Sequence, residues 1–419
     1  KQFRSLHLIQ YGPYQREVEF LGHHKDEQTV FLSSQLKSGL NLANHKQVTF
    51  QLHKNSCTIL LTLGVYVAGF DVDKLPLGPR TDLFQIMSQA GEKLGFQTIF
   101  FGHQHILTDK QQIYAYYFKD NQWQQSLFDI PTVIYNRLPN RKVEHHPNIE
   151  RTKQYLAHFA TMFNEGFFNK WEIYELLMKS AENYLLPETI LRPSQRKIMR
   201  LLYKQKSMYI KPIHGSRGDG IYKCQQIETG ELECQYYHKD KPQINRYKNM
   251  DIFFRQQFPN GLDKYVVQEE IPLLKKGNSS IDFRVHTNKN HKNSWEVTVI
   301  GAKFAGKGSL TTHVQRGGTV HTIDELFSNE QTKRITQKLT KTSLLLSNTI
   351  EEEMSGTIGE IGFDLGIDEE GKVWLFEANA KPGFSIFDHP TLRLKAESVL
   401  SFPYKYAFYL HNLKMNQIY

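Results

Sequence analysis

Asp364, Glu377 and Asn379 are the residues whose types and spacing most plainly suggest chemistry. They lie in the stretch from Gly359 to Gly383, which reads as two short apolar strands, Ile361–Ile367 and Lys372–Ala378, joined by a turn at Asp368–Gly371. Each strand carries one carboxylate among apolar neighbours. Asn379 follows Glu377 by two residues, so both project to the same face. Two carboxylates and an amide oxygen on paired strands make a hard-oxygen cluster of the kind Mg²⁺ takes, with waters and phosphate oxygens completing the shell. A plain hairpin with one exposed and one ion-paired acid fits the same residues, so cationic motifs elsewhere decide between the two.

Those motifs lie upstream. Met208–Tyr222 reads as a strand, a glycine-rich loop and a strand, with Lys211 at the end of the first strand. Gly215, Gly218 and Gly220, with Ser216 among them, let the backbone turn tightly and aim N–H groups at an anion. The loop is not a P-loop, because Gly-Lys-Ser/Thr is absent and a strand rather than a helix follows. Lys264–Leu274 is a strand ending in Glu269 and Glu270 before a proline, where backbone groups can read an adenine edge. Asp282 and Arg284 share one face of the next strand, a spacing that an ordinary ion pair also explains. Lys303 stands near the end of the strand Trp295–Phe304, and a polar loop then carries Lys307, His313 and Arg316 before two glycines.

The elements that position these residues fall into regions. Residues 1–55 alternate short β-prone runs with polar turns and predict a small antiparallel β module, in which His23-His24 reads as a solvated turn. From Thr58 a continuous apolar run, then a Gly/Pro-rich loop, a helix over Thr81–Leu94 and further strands predict an open α/β domain. Ligands of such sheets bind beyond the carboxyl ends of the strands. Arg80, at a helix start, and Asn136-Arg137, just past a strand, therefore become candidates for substrate contact. The 419 residues allow two or three domains, and 39% hydrophobic with 12% aromatic residues is a globular composition. A net charge of +9 favours anionic partners, but no basic block dominates, so specific nucleic-acid binding is not expected. Cys57, Cys224 and Cys234 lack a C-x-x-C spacing, which argues against a disulfide framework or zinc site and for a reducing compartment. No run of 18 apolar residues marks a membrane span, and there is no signal-peptide pattern. The first residue is lysine rather than methionine, which leaves room for an upstream start.

Taken in order, a lysine with a glycine-rich hairpin, basic residues on later strands and then Asp…Glu-x-Asn resemble the ATP-grasp ligases over about residues 165–390. Local strings are similar to the YheC/YheD endospore-coat-associated group over almost the whole chain: Pro76-Leu-Gly-Pro-Arg-Thr, Val133-Ile-Tyr-Asn-Arg-Leu-Pro, Phe167-Phe-Asn-Lys-Trp-Glu, Leu186-Pro-Glu-Thr and Thr312-His-Val-Gln-Arg-Gly-Gly. The resemblance implies an α/β (α+β) chain: the β module (1–55), an α/β pre-ATP-grasp domain (56–165), a small glycine-loop subdomain (166–270) and a large subdomain with the metal site (271–419). It implies ATP and two Mg²⁺ ions as cofactors. Lys170 and Lys211 would reach the phosphates, with Gly215 to Gly220, Ser216 included, closing over them. Gln268, Glu269 and Ile271 would read adenine. Arg284, Arg316 and Lys303 would serve the reacting centre, and Asp364, Glu377 and Asn379 would hold the metal. Where many relatives place a ribose-binding acid, this chain has Lys275 and Lys276. The expected activity is ATP-dependent ligation of a carboxylate to an amine, an amino acid or peptide, through an acyl phosphate. The carboxylate would meet Arg80, Asn136, Arg137 and His313. The rivals are phosphorylation of a hydroxyl, and a coat-associated structural protein with a spent site. The expected setting is the cytoplasm of a sporulating bacterium, with spore-coat proteins as further partners.

Overall fold

The apolar run that opens the α/β domain becomes the strand Ser56–Tyr66, the spine of the first sheet in this computed structural model. The residues described are 6–22, 30–42, 48–70, 76–213, 220–238, 241–277, 279–305 and 318–418. The second half of the spine pairs in parallel with Phe96–Phe101 and Val133–Asn136. Its first half pairs with Leu8–Tyr11 in parallel and with Thr49–Leu52 antiparallel. The expected separate module over 1–55 is therefore not separate. Its strands are too short to close a core alone, and they extend the larger sheet instead.

The C-terminal helix Phe402–Ile418 also returns to this sheet. Tyr404, Tyr406 and Phe408 are buried around its circumference, so no single stripe can satisfy it. The Tyr11 hydroxyl donates to Asn412 Oδ1 at 2.6 Å, and the hydroxyls of Thr98 and Tyr404 are 2.6 Å apart. The chain thus ends on the core where it began, and the expected division at 271–419 does not hold for its last helix.

A second, fully antiparallel sheet runs in the order Thr189–Leu191, Tyr265–Glu269, Ser207–Pro212, Tyr222–Gln226, Leu232–His238, Lys241–Tyr247. One face packs Met208, Ile210 and Val267 against Leu201 and Leu202 of the helix Gln195–Gln205 and Phe253 of Met250–Gln257. Cys224 and Cys234 are cross-strand partners in this core, both free thiols, with Sγ atoms 2.6 Å apart. The other face, by strand alternation, carries Tyr209, Lys211, Lys223 and Gln268. The helix Lys170–Lys179 was expected in this subdomain. Its Ile173 and Leu177 instead pack on the third sheet, so the small subdomain begins after residue 186.

The third sheet is antiparallel, in the order Thr319–His321, Trp295–Phe304, Ser279–Lys289, Glu360–Ile367, Val373–Asn379. The 25-residue helix Asn329–Glu353 covers one face, setting Leu339, Leu346 and Ile350 against Phe283, Val285, Phe363 and Leu365. Each of those side chains contributes about 1.5–3 kcal/mol through burial. Ser328 and Gln331 cap the helix reciprocally at its start. Alternation sends Asp282, Arg284, Lys303 and Asp364 to the opposite face, part of which Ile386, Phe387 and Leu392 cover. Among the described residues no helix is long and apolar enough to cross a membrane.

Candidate active site

The hairpin Glu360–Ile367 and Val373–Asn379 closes through Gly371 at φ +83°, a conformation that favours glycine. Asp368 accepts from the Lys372 amide and the Trp374 indole at 2.8 Å each, which fixes the turn. With the turn set, register places Asp364 directly across from Glu377, and Gly362 across from Asn379. Ala378 enters the core between Glu377 and Asn379, which leaves those two on the open face.

Asp364 is gripped from the neighbouring strands. Arg284 Nε and Nη2 donate to its two oxygens at 2.8 and 3.0 Å, and Lys303 Nζ donates at 2.7 Å. Lys303 also pairs with Asp282 at 3.1 Å. The sequence left Arg284 between a catalytic role and an ion pair with Asp282; its hydrogen bonds go to Asp364. Burial alone would push the Asp364 carboxyl up, but Arg284 and Lys303 outweigh it and hold the group well below the usual carboxylate range. Arg284 and Lys303 are likewise held protonated, because the carboxylates overcome burial.

Across the hairpin, Lys170 Nζ lies 3.1 Å from Glu377 Oε2. Lys170 is the first residue of its helix, positioned by Asn169, whose side chain caps the Trp171 amide. Lys211 Nζ donates to Gln268 Oε1 at 2.5 Å, and Gln268 in turn donates to Thr189 at 3.0 Å. Burial, with the charge of Lys170, holds the Lys211 ammonium down to about 8, while Glu377 pulls the other way. Lys170, Lys211, Arg284 and Lys303 thus gather around Asp364 and Glu377. Asp364, Glu377 and Asn379 offer only hard oxygens, and Asp364 is kept in the ionised form a divalent cation requires, so the donor set fits Mg²⁺.

The remaining sequence candidates divide. Gln268 shares a face with Lys211, but the Glu269 side chain turns to the opposite face, accepting from the Glu188 amide and Gln205 at 2.8 Å each. The Glu269 amide donates to the Glu188 carbonyl at 3.0 Å, so Glu269 can face a ligand beside Gln268 only through its own carbonyl, and Ile271, two residues on, is buried. Lys275 and Lys276 form a short exposed strand, with Lys276 Nζ 3.1 Å from the Leu326 carbonyl. Gly220 lies at φ +69°, where an added Cβ would come 2.8 Å from Pro212. Gly215, Ser216, Gly218, Lys307, His313 and Arg316, like His23 and His24, lie outside the described residues.

Arg80 and Arg137 line a cleft of about 500 Å³ with Pro79, Lys381, Phe384 and Arg393. Arg137 is only 7% exposed. It pairs with Glu360 at 3.3 Å, donates to the Pro382 carbonyl at 3.0 Å and rests on the Phe384 ring. A local partner such as Glu144 is an alternative for Arg137 on sequence grounds, but Glu144 instead holds Lys381 at 2.7 Å. Arg80 donates to the carbonyls of Arg137 and Ala68, and burial with the charge of Arg137 brings it down to about 10. Asn136 does not reach the cleft: it is fully buried, donating to Glu144 and the Glu165 carbonyl and accepting from the Leu138 amide.

Sequence reasoning missed the residues that hold the base of the hairpin. Asn164, buried at φ +54°, accepts from the Gly359 amide at 2.9 Å and donates to the carbonyls of Glu360 and Ala380. Lys223 pairs with Glu270 at 2.6 Å beside Tyr209. His286 is buried on the strand of Arg284, with neither ring nitrogen partnered among the described residues, and burial pushes it down to about 3. None of these carries a local sequence signal, because each depends on segments distant in the chain.

An antiparallel sheet with an acidic hairpin, together with a second antiparallel sheet that carries Lys211, is the arrangement of an ATP-grasp fold. The chain belongs to the YheC/D-like ATP-grasp family, whose sequence model matches residues 160–410. It is 35% identical to the endospore coat-associated protein YheD of Bacillus subtilis (strain 168) over 391 residues, 92% of this chain and 86% of that protein. It is 23% identical to the endospore coat-associated protein YheC of the same organism, over 71% of this chain and 84% of that protein. Among solved structures, the D-alanine–D-alanine ligase from Coxiella burnetii is similar at 12% identity and a TM-score of 0.45, covering 86% of this chain and 99% of that one.

Proposed function

We propose that the protein is an ATP-dependent carboxylate–amine ligase that forms an amide or peptide bond through an acyl phosphate. The observation that carries this reading is the cross-strand pair Asp364 and Glu377, each held by cations from other elements. Asp364, Glu377 and Asn379 would hold Mg²⁺, which supplies charge neutralisation on the phosphate oxygens. Lys170 and Lys211 bind phosphate oxygens, exchanging part of their present contacts with Glu377 and Gln268 for the nucleotide. Gln268 with the backbone of Glu269 and Ile271 receives adenine. Arg284 and Lys303 hold Asp364 ionised and, with Arg316, supply positive charge where the phosphoryl group is transferred. Positioning and electrostatics of this kind dominate phosphoryl transfer.

The cleft is the carboxylate side of the reaction. Arg80, with Lys381 and Arg393 nearby, offers cations suited to a carboxylate, and Arg137 shapes the wall from its pairing with Glu360. The substrate carboxylate attacks the γ-phosphorus, ADP departs, and an amine then displaces phosphate from the acyl phosphate. Gly215 to Gly220 are assigned from sequence to closing the site, and His313 to contacting substrate. The setting we infer is the cytoplasm, with association to the forming spore coat, as the names of the two relatives suggest. The test is ADP release screened over amino acids and acidic peptides, with mass spectrometry of the products. An amide plus phosphate supports the ligase; a phosphorylated product indicates a kinase, and no turnover over the panel indicates a structural protein with a spent site.

A further inference from the structure

On the far edge of the third sheet, away from the acidic hairpin, three side chains from separate segments converge. His321 ends the strand Thr319–His321, Glu325 lies in the short helix Ile323–Leu326 that follows it, and His389 precedes Pro390. One donor atom from each lies within 4.8 Å of the others. His321 Nδ1 is 3.3 Å from Glu325 Oε2, and His389 Nε2 is 3.2 Å from Glu325 Oε1. Tetrahedral zinc with bonds of about 2.0–2.2 Å separates neighbouring donors by about 3.4 Å.

A second layer is in place for His321 and Glu325. The far nitrogen of His321, Nε2, is 2.8 Å from the Thr319 hydroxyl, which can accept its proton when Nδ1 binds the metal. Glu325 is steadied by accepting from the Thr322 amide at 3.0 Å, and its short helix by Lys276 on the Glu325 and Leu326 carbonyls. His389 is the deepest of the three, 14% exposed at the side chain. Its Nδ1 has no partner among the described residues, so Nε2, which faces Glu325, makes the ring's polar contact. We propose that His321, Glu325 and His389 form a zinc site distinct from the nucleotide site. Two imidazoles and one carboxylate select zinc over Mg²⁺ or Ca²⁺, which take oxygen shells. Three protein ligands leave a fourth position open to solvent, since Glu325 is exposed.

The location gives the ion a role. Ala302 pairs with His321, and Lys303 with Val320, so one anchor lies beside the strand that presents Lys303 to Asp364. The other anchor, His389, stands directly after Phe387 and Asp388, which line the cleft. Zinc would tie the cleft wall to the edge of the catalytic sheet.

The test is calorimetric titration of zinc sulfate into the full chain, stripped with EDTA and held in magnesium chloride so that hard-oxygen sites are filled. One zinc per chain is expected. His389→Ala and Glu325→Gln should each weaken binding by about tenfold or more, and Thr319→Val, which removes the second-layer hydroxyl, by about 10–100-fold. Glu325→Gln keeps an acceptor for the Thr322 amide and so preserves the helix cap. The melting temperatures of these variants in EDTA should match the parent. Zinc affinity unchanged in His389→Ala and Glu325→Gln would overturn the proposal, as would the absence of stoichiometric binding to the parent. Loss of stability in EDTA equal to that seen with zinc would also overturn it, because the triad would then be a hydrogen-bonded network alone.

Discussion

Lys211 carries a charge that its surroundings make easy to lose. Burial and Lys170 bring its ammonium down to about 8, so the free protein sheds this proton as pH rises through that value. The lowered ammonium is a cost to the folded state below about 8 that eases above it, while phosphate binding follows the opposite course. ATP affinity should therefore fall by up to about tenfold per pH unit above 8, and Lys211→Arg, whose guanidinium stays charged, should flatten that slope. Calorimetry across this range checks it. Asp364 behaves in the reverse sense: its folded pKa is depressed, so it contributes stability above about pH 4 that disappears as pH falls further. Asp364→Asn should cost orders of magnitude in ATP turnover, and its urea stability should fall less between neutral pH and about pH 3 than that of the parent. Turnover near the parent's in the purified Asp364→Asn/Glu377→Gln double variant would remove the metal assignment. The types and spacing of Asp364, Glu377 and Asn379 were legible in the sequence because one hairpin holds all three. The cations on Asp364 were legible as candidates only, since pairing with Arg284 or Lys303 depends on strand register.

At the scale of elements, the hairpin matched its sequence pattern to within a residue at each end, because alternation and the glycine turn are local. The sequence shows a helical pattern over Lys170–Asn183, of which Lys170–Lys179 forms the α-helix, but not that it belongs to the large body. Its allegiance depends on what Ile173 and Leu177 meet. The strands Leu8–Tyr11 and Thr49–Leu52 pair with Ser56–Tyr66, and the last helix, which the sequence reading missed, packs on the same sheet; no local pattern names these partners. The Arg137–Glu360 pair joins the first sheet to the start of the hairpin, with Tyr135 donating to the same carboxylate. Burial holds Glu360 above the usual carboxylate range even beside Arg137, so removing the guanidinium strands a buried acid. Arg137→Ala should cost about 3–5 kcal/mol, and adding Glu360→Gln should recover part of that loss. Chemical denaturation of the two variants measures both effects. An unchanged melting temperature with a raised KM for the carboxylate would instead make Arg137 a direct substrate contact.

At the scale of the molecule, the proposed nucleotide site draws on the two antiparallel sheets, while residues that follow strands of the first sheet and the 381–396 segment line the cleft. Binding that bridges these bodies should raise the melting temperature by mass action, so ATP with Mg²⁺ should give a shift that Lys211→Ala reduces. No shift and no heat at millimolar ATP would place the nucleotide elsewhere. In the proposed ligase the carboxylate attacks phosphorus before the amine arrives. Once the ADP-release screen yields an active pair, its carboxylate is labelled with oxygen-18 and the released phosphate is analysed by mass spectrometry. Passage through an acyl phosphate leaves one labelled oxygen in the inorganic phosphate. Phosphate free of label in a reaction that still forms the amide would contradict carboxylate activation by phosphoryl transfer.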